Sequence, residues 1–251
     1  MRILVISDIH ANLEGLEACL AAAPAHDLVI NLGDVVGYGA SPNEVIERSR
    51  QLGNIWVRGN HDKACSGVST MNGFNPVAWL AVIWTRTMLR NDNLEWLRNL
   101  PQGPLPLEGV PEVQLVHGSP LDEDEYLLML PDAIRPLSGA TAPVTFFGHT
   151  HVQGGFLLDG DDAAVLRPLY ESTKKPEHYE YQLDQSGRYL INPGSVGQPR
   201  DGDWRAAFAL YETGSHTVTY YRVPYDVEKA QERIIKADLP ERLATRLAQG
   251  R

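Results

Sequence analysis

Cysteine is scarce in this chain, which has only two among its 251 residues, Cys19 and Cys65. Two isolated thiols cannot build a disulfide framework, and they show no metal-ligand pairing. Long apolar runs are also missing, because no stretch approaches the ~20 residues that a membrane-spanning helix needs. The apolar run at residues 1–6 is too short for a signal peptide and is typical of a first strand. We therefore expect a cytoplasmic protein with free thiols and no membrane partner.

Positive charge is in deficit, since 22 lysines and arginines stand against 32 aspartates and glutamates and give a net charge of -10. The sequence also contains no basic run. A strongly acidic surface repels a phosphate backbone, which argues against duplex DNA or RNA as a partner. A small anionic substrate stays compatible, because two divalent cations in one pocket would reverse the local sign.

Five short apolar runs predict strands in the first three-fifths of the chain. Each run is nearly continuous rather than alternating, which is typical of strands covered on both faces. Helical patterns fill the first two gaps, at 13–23 and at 43–52, the second with Ser41 as a cap and Pro42 in its first turn. Strand and helix in alternation predict an open α/β sheet within a single domain over residues 1–251. The five runs are residues 3–6, 28–32, 55–57, 113–116 and 144–147.

Residues 74–100 carry a helical pattern, with apolar side chains at three- and four-residue steps. This stripe consists of Val77, Leu80, Ala81, Trp84 and Met88. The segment could form a helical cap over a site, but such a stripe is more often core, and core is the favoured interpretation. The tail at residues 226–250 is also predicted to be helical and to break near Pro240.

The region between these helical segments predicts two β-hairpins. Turn residues at 185–187 and at 213–215 each separate a pair of strand patterns. We expect both hairpins to feed a second, more antiparallel sheet. The polar residues 159–176 are expected to form a loop.

Polar residues follow every one of the five apolar runs, where each strand ends. Open α/β sheets bind ligands at the carboxyl ends of their strands, so these side chains should converge. In an extended chain, side chains two residues apart point the same way, which would let Asp8 and His10 hold one metal. Glycines precede three of the polar residues and would permit sharp turns or close backbone approach. The candidate ligands are Asp8, His10, Asp34, Asn60, His117, His149 and His151.

Seven ligands exceed what one ion needs once water is admitted. Two ions that share a bridging carboxylate account for the number, and Asp34 is the natural bridge. Mixed imidazole, carboxylate and amide ligands suit Mn²⁺, Fe or Zn²⁺, so the identity of the metal stays open. Each short motif alone is weak, whereas all of them in order after predicted strands are specific. The other histidines, His26, His178 and His216, are interpreted as surface or turn residues.

This ordered set of motifs resembles the signature of the calcineurin-like metallophosphoesterases, over about residues 1–200. The motifs are Asp8-Ile9-His10, Gly33-Asp34, Gly59-Asn60-His61-Asp62, His117 and Gly148-His149-Thr150-His151. The resemblance implies an α/β fold, a four-layer αββα sandwich of two mixed sheets that face each other. It implies one ion on Asp8, His10, Asp34 and His151, and another on Asp34, Asn60, His117 and His149. Three flanking stretches are similar to a compact prokaryotic branch whose members cleave phosphodiesters, phosphomonoesters or dinucleoside polyphosphates.

The resulting hypothesis is a dinuclear-metal phosphoesterase that acts on a phosphodiester or phosphomonoester of a small molecule or nucleotide. A metal-bridging hydroxide would attack phosphorus, and His61, in the family's acid position, would protonate the leaving oxygen. Asp62 would accept a hydrogen bond from the other nitrogen of that imidazole. Asn12 and Arg200 are candidate substrate contacts, although Arg200 could equally pair with a neighbouring aspartate, Asp201 or Asp203. The alternatives are a serine/threonine protein phosphatase, a dinucleoside polyphosphate hydrolase and a non-catalytic scaffold of the same fold.

Overall fold

Two six-stranded mixed β-sheets form the centre of the molecule. The computed structural model describes residues 1–251. The first sheet contains β1 (Arg2–Ile6), β2 (Leu28–Asn31), β3 (Ile55–Trp56), β9 (Glu177–Gln182), β11 (Ala206–Glu212) and β12 (Thr217–Val223). The second sheet contains β4 (Leu105–Pro106), β5 (Val113–Leu115), β6 (Val144–Phe146), β7 (Gly154–Asp159), β8 (Asp162–Leu166) and β10 (Arg188–Asn192). The spatial orders are β3-β2-β1-β11-β12-β9 and β4-β5-β6-β10-β7-β8.

The five predicted strands are all present, but they are divided between the two sheets. β1, β2 and β3 run parallel in the first sheet, where Leu4 is paired with Val29. β5 and β6 run parallel in the second sheet, where Leu115 is paired with Phe146. The expectation that the five runs share one open sheet is therefore wrong. Continuous apolar runs indicate burial on both faces, and the strands of a two-sheet sandwich covered by helices satisfy that condition equally well.

Helices cover the outer faces of both sheets. They are α1 (Leu13–Ala22), α2 (Pro42–Arg50), α3 (Asn60–Ser66), α4 (Pro76–Met88), α5 (Asn91–Arg98), α6 (Leu130–Gly139), α7 (Val227–Lys236) and α8 (Glu241–Thr245). The predicted helices at 13–23 and 43–52 are confirmed, as is the helical tail, which is interrupted before α8 at Pro240. No helix is long and apolar enough to cross a bilayer.

Three hydrophobic clusters define four layers. The cluster between the sheets joins first-sheet residues such as Ile3 to second-sheet residues such as Phe146. The largest cluster packs the outer face of the first sheet, including Leu4, against helices that include α1, α4 and α7. A third cluster packs α6, through Leu137, on the outer face of the second sheet. The layer order is thus helix, sheet, sheet, helix, which confirms the αββα sandwich that the family resemblance implies.

The segment at residues 74–100 forms two helices, α4 and α5, rather than one. The buried face of α4 consists of Ala78, Ala81, Val82 and Thr85. Leu80 and Met88, both expected in the buried stripe, are 49% and 48% exposed. Small side chains let the helix approach its neighbours closely, so the buried face is narrower than an apolar pattern suggests. Ala78 also lines a cleft beside the candidate site, whereas Ala81 and Val82 lie in the core.

One of the two predicted hairpins exists. β11 and β12 pair antiparallel around the turn at 213–215, but they extend the first sheet rather than a separate one. The turn at 185–187 instead connects β9 to β10, which belong to different sheets. A turn signal marks a reversal of the chain and does not specify which strand the next one pairs with. The predicted loop at 159–176 is also wrong in part, because it contains the strand β8.

Candidate metal centre

All seven predicted ligands converge at one edge of the sandwich. Ligand atoms of Asp8, His10, Asp34 and His151 lie within 4.8 Å of one another, as do those of Asp34, His117 and His149. Asp34 belongs to both groups. Asn60 joins the second group, because its Oδ1 lies 3.3 Å from Nε2 of His117. Asp8, His10 and Asp34 follow strands of the first sheet, whereas His117, His149 and His151 follow strands of the second.

Left-handed backbone conformations cluster at these ligands. The positive φ angles are 52° at Asp8, 49° at His10, 55° at Asp34, 66° at His149 and 59° at His151. A residue other than glycine in this region costs about 1–3 kcal/mol, and such strain concentrates at functional sites. The expectation that an extended chain aligns Asp8 with His10 is therefore wrong. Tight turns after each strand bring these side chains together.

Glycines next to the ligands permit the sharp turns and close backbone approach that the sequence suggests. Gly33 has a φ of 99°, which glycine adopts without strain. A Cβ at Gly59 would lie 2.1 Å from Oδ1 of Asp34, and one at Gly148 would lie 2.1 Å from Oγ of Ser7. Any larger residue at these two positions would displace the carboxylates or the groups that hold them.

Main-chain carbonyls fix the orientation of four imidazoles. Nδ1 lies 3.2 Å from the Val36 oxygen in His10, 2.7 Å from the Leu32 oxygen in His117 and 2.6 Å from the Gln198 oxygen in His151. In His149 the two ring nitrogens exchange these roles, because Nε2 is the one that faces a carbonyl, 3.1 Å from the Asp124 oxygen. A carbonyl can only accept, so the nitrogen facing it carries a proton, and in the neutral form of the ring the other nitrogen keeps a lone pair. Metal-binding histidines characteristically have this outer hydrogen bond.

The lone pairs of the rings face one another in a way that suits a cation. Nε2 of His10 lies 3.0 Å from Nε2 of His151, although neither nitrogen has a proton to donate when Nδ1 is protonated. Oδ2 of Asp34 lies 3.5 Å from Nε2 of both His10 and His117, and Oδ1 of Asp8 lies 3.2 Å from Nε2 of His151. Buried lone pairs and carboxylates this close repel unless positive charge lies among them. The donor set therefore fits divalent metal ions.

Electrostatics within the cluster favour a cation. Burial would raise the pKa of Asp8, but the histidines beside it, chiefly His151, hold that pKa well below its usual value. Burial lowers the pKa of His149 to about 3 and the pKa of His10 well below its usual value, so both rings are neutral ligands. At His117 burial acts in the same direction, but the Asp34 carboxylate overcomes it and raises the pKa to about 10. A positive charge beside Asp34 is thus strongly stabilised.

His61 lies beside the ligands without belonging to either group. Its ring is 3% exposed and packs at 4.3 Å from the ring of Tyr38 and at 4.8 Å from that of Phe74. Its main-chain N–H donates to Oδ1 of Asp34 at 2.8 Å, while its Nδ1 is buried without a hydrogen-bond partner. Burial lowers the pKa of His61 to about 4.

The predicted contact between Asp62 and the imidazole of His61 is wrong. The Asp62 carboxylate accepts hydrogen bonds from the main-chain N–H groups of Val36, at 3.2 Å, and Gly59, at 3.0 Å. Consecutive residues of a helix point about 100° apart, so the two side chains diverge at the start of α3. Burial, together with the charge of Asp34, raises the pKa of Asp62 to about 7. Asp62 therefore ties two ligand-bearing loops together.

Asn12 holds the main chain and not the site. Its Oδ1 accepts from the Gly15 N–H at 3.0 Å and caps α1, and its Nδ2 donates to the Gly197 carbonyl at 2.9 Å. Both ends of the amide are engaged with the main chain, and the predicted substrate contact of Asn12 remains a prediction. The sequence signal was present, because an asparagine before a helical pattern is a typical N-cap.

Arg200 lies in the loop after β10 with a largely unpaired guanidinium. The alternative of an ion pair with an adjacent aspartate is wrong, because Asp201 pairs with Arg222 and Asp203 with Arg205. Nη2 of Arg200 lies 3.2 Å from Oε1 of Gln198 and 3.5 Å from the hydroxyl of Tyr38, while its Nε is buried without a partner. The predicted phosphate contact of Arg200 remains a prediction.

A cleft of about 250 Å³ opens beside His61 and His149. Several of its lining residues carried no sequence signal, because they lie in loops without periodicity; they are Asn72, Gly73, Asp124 and Tyr126. The ring of Tyr126 stacks 3.8 Å from that of His149. The loop that carries Tyr126 is anchored to α3 by Lys63, whose Nζ lies 2.8 Å from Asp124.

Comparisons with known proteins agree with this geometry. A model of the calcineurin-like phosphoesterase family matches residues 1–153. An uncharacterized protein of Methanocaldococcus jannaschii is 36% identical over 99% of this chain and 98% of its own length. The crystal structure of a metallophosphoesterase from Sphaerobacter thermophilus is 42% identical and superposes with a TM-score of 0.84, covering 100% of this chain and 99% of that one. A hypothetical protein from Pyrococcus horikoshii OT3, 20% identical with a TM-score of 0.79 over 100% and 98% of the two chains, shares the fold.

Proposed function

Because this chain belongs to the calcineurin-like phosphoesterase family, we propose that it hydrolyses a phosphate ester of a small phosphorylated molecule or nucleotide in a metal-dependent reaction. The observation that carries the proposal is the pair of ligand groups that share Asp34. Asp8, His10 and His151 would hold one divalent ion together with Asp34. Asn60, His117 and His149 would hold another, as the resemblance implies.

The residues around Asp34 set the chemistry. Divalent ions in these groups would supply the Lewis acidity that polarises phosphoryl oxygens and activates water at neutral pH. Their ligands are held in place before any ion binds, because carbonyl contacts fix the rings of His10, His117 and His151. Preorganised ligands avoid the cost of rearrangement when the substrate reacts. Manganese, iron and zinc all suit this donor set.

His61 is the proposed general acid. It lines the cleft of about 250 Å³ and is the one motif histidine whose ring is not committed to a ligand group. A phosphate anion bound beside the ring would oppose the effect of burial and favour the protonated form. From that position, His61 would donate its proton to the departing oxygen.

Arg200 is the proposed phosphate contact. Its guanidinium has no carboxylate partner, and its buried Nε has no hydrogen bond. A guanidinium binds two phosphate oxygens in parallel and carries its charge at every relevant pH. Its Nη2 contacts Tyr38 and Gln198. Burial lowers the pKa values of His61 and His151, and the charge of Arg200 helps to lower them, which places the guanidinium near both rings.

The test is hydrolysis after controlled metal loading. The purified chain would be stripped of metal, reloaded separately with Mn²⁺, Fe²⁺ or Zn²⁺, and assayed on p-nitrophenyl phosphate and bis(p-nitrophenyl) phosphate, with elemental analysis of each sample. We expect metal-dependent release of p-nitrophenol from at least one ester. A phosphoserine peptide in the same assay tests the protein phosphatase alternative. If metal binds but none of these esters is cleaved, the non-catalytic scaffold becomes the better account.

A further inference from the structure

A second cleft adjoins the one beside His61. Its volume is about 410 Å³, and it is lined by Tyr38, Asn75, Pro76, Val77, Arg242 and Arg246. Tyr38 and Asn75 line both clefts, which are therefore neighbours. The two arginines come from α8 and the residue after it, in the C-terminal tail, which lies beyond the matched family region of residues 1–153.

Positive charge is concentrated around Tyr38 in a protein that is otherwise acidic. Cζ of Arg200 lies 5.7 Å from the centre of the Tyr38 ring, and Cζ of Arg246 lies 5.9 Å from it. Burial, with the charges of Arg200 and Arg242 nearby, holds the pKa of the Arg246 guanidinium below its usual value. Like charges repel, so an anion bound between these arginines would be stabilised by all of them.

No side-chain carboxylate offsets this charge. The buried Arg205 and Arg222 have aspartate partners, whereas Arg242 and Arg246 form no side-chain ion pair. Nε of Arg246 donates a hydrogen bond to the carboxyl oxygen of Arg251, the last residue of the sequence, while its two Nη groups form no hydrogen bond. The two Nη groups of one guanidinium can bind two phosphate oxygens side by side.

The position of Tyr38 relates this cleft to the metal ligands. The centre of its ring lies 4.7 Å from the centre of the His10 ring and 5.9 Å from Cζ of Arg246. A molecule the size of a sugar phosphate or a nucleotide is long enough to span these two distances together. Because Tyr38 lines both clefts, a ligand that occupies both would carry its two anionic groups several bonds apart.

We propose that Arg242 and Arg246 form a subsite for a second phosphate, and that the substrate is a small molecule with two phosphate groups on separate carbons. This inference rests on the proposed phosphoesterase function, which supplies the first phosphate site at the metal ligands. Two guanidinium groups match the double charge of a phosphate monoester. The C-terminal tail would therefore determine specificity, while the motif residues perform the hydrolysis.

A kinetic comparison tests the subsite. The metal-loaded enzyme would be assayed with two matched pairs, adenosine 5′-phosphate against adenosine 3′,5′-bisphosphate and fructose 6-phosphate against fructose 1,6-bisphosphate. We expect a higher kcat/KM for a bisphosphate than for its monophosphate, and in R242Q/R246Q a fall of about tenfold or more in that ratio, mainly through KM. The matched control is R135Q, because Arg135 is an exposed arginine on α6 that should leave the ratio unchanged.

A binding measurement separates this inference from the proposed function. Calorimetry on the metal-free protein, with adenosine 3′,5′-bisphosphate as the probe, should show binding that weakens about tenfold or more in R242Q/R246Q and persists in R135Q. Two results would overturn the subsite and leave the proposed function intact. In the first, the enzyme hydrolyses p-nitrophenyl esters but shows no preference for a bisphosphate. In the second, it shows such a preference and R242Q/R246Q retains it. Absence of all hydrolysis together with arginine-dependent binding would overturn the proposed function and support the subsite.

Discussion

Gly37 lies directly against the ring of His61, so closely that a Cβ at position 37 would be 2.4 Å from Nδ1 of the imidazole. Gly37 also has a φ of 92°, which other residues rarely adopt. The loop after β2 therefore determines where the proposed acid stands, although it contributes no group to the reaction.

Replacement of Gly37 by alanine should displace His61 and impair turnover. A misplacement of about 1 Å can cost as much as a hundredfold in rate, and we expect kcat of G37A to fall by at least about tenfold. Metal content, measured by elemental analysis, should hold. Gly214 is a matched control, because a Cβ there meets nothing within 4 Å. Full activity in G37A would show that the position of the ring is not critical.

Removal of the imidazole itself gives a larger effect. We expect H61A to lose about 10²–10⁴ in kcat, since general-acid catalysis contributes in that range. Metal content should again hold, because His61 belongs to neither ligand group. H26A, at an exposed histidine, is the control. Turnover in H61A equal to that of the unmodified chain would remove His61 from the mechanism.

Asp34 should matter more for metal binding than any other ligand, because it belongs to both groups. We expect D34N to lose metal from both, whereas H151A should lose it mainly from one. Stoichiometry by elemental analysis after dialysis measures the difference, with the exposed D161N as a control. Equal losses in D34N and H151A would contradict a shared carboxylate.

Metal affinity should depend on pH through His117. The pKa of His117 in the metal-free protein is raised to about 10 by Asp34, despite burial. The ring therefore carries a proton at neutral pH, and that proton must leave before Nε2 can bind metal. Affinity should rise with pH, by at most about tenfold per unit, and flatten as pH approaches the raised pKa. Calorimetry in buffers of different ionisation enthalpy should detect about one released proton near neutrality. No release would show that the ring of His117 is already neutral before the ion binds, contrary to the raised pKa.

Arg200 should affect substrate binding rather than metal binding. Loss of a charged hydrogen bond costs about 1.5–3 kcal/mol, so R200Q should raise KM for p-nitrophenyl phosphate by roughly tenfold or more. Metal content should stay constant, and R135Q should behave as the unmodified chain does. An unchanged KM in R200Q would assign the arginine a structural role beside Tyr38.

The sequence predicts the candidate site better than it predicts the architecture. Each strand and the polar residue after it are neighbours in the sequence. A pattern such as the strand that precedes His149 can therefore be recognised without knowledge of the rest of the fold. Sheet membership depends on pairing between distant segments, which a local pattern does not encode. Tyr189 shows the difference. The sequence predicts a hairpin between its strand, β10, and the preceding strand, β9. In the structure β10 lies in the second sheet, where Tyr189 is paired with Val144 and with Leu157.

Side-chain directions were the least predictable feature of the site. The alternation expected for Asp8 and His10 assumed an extended backbone, whereas both residues adopt left-handed turns. The expected contact of Asp62 failed because the helix α3 begins at Asn60 and turns Asp62 towards the main chain. In both cases the motif pointed to residues that lie at the candidate site, and the local backbone conformation decided the direction of their side chains.

The division of the ligands between the two sheets has a mechanical consequence. Asp8, His10 and Asp34 move with one sheet and His117, His149 and His151 with the other, while mostly hydrophobic packing joins the inner faces. Apolar packing has no preferred direction, whereas coordination bonds are directional. A cation held by both sets would add a directional cross-link between the sheets, beside hydrogen bonds such as the one that the Tyr220 hydroxyl donates to the Gly154 carbonyl.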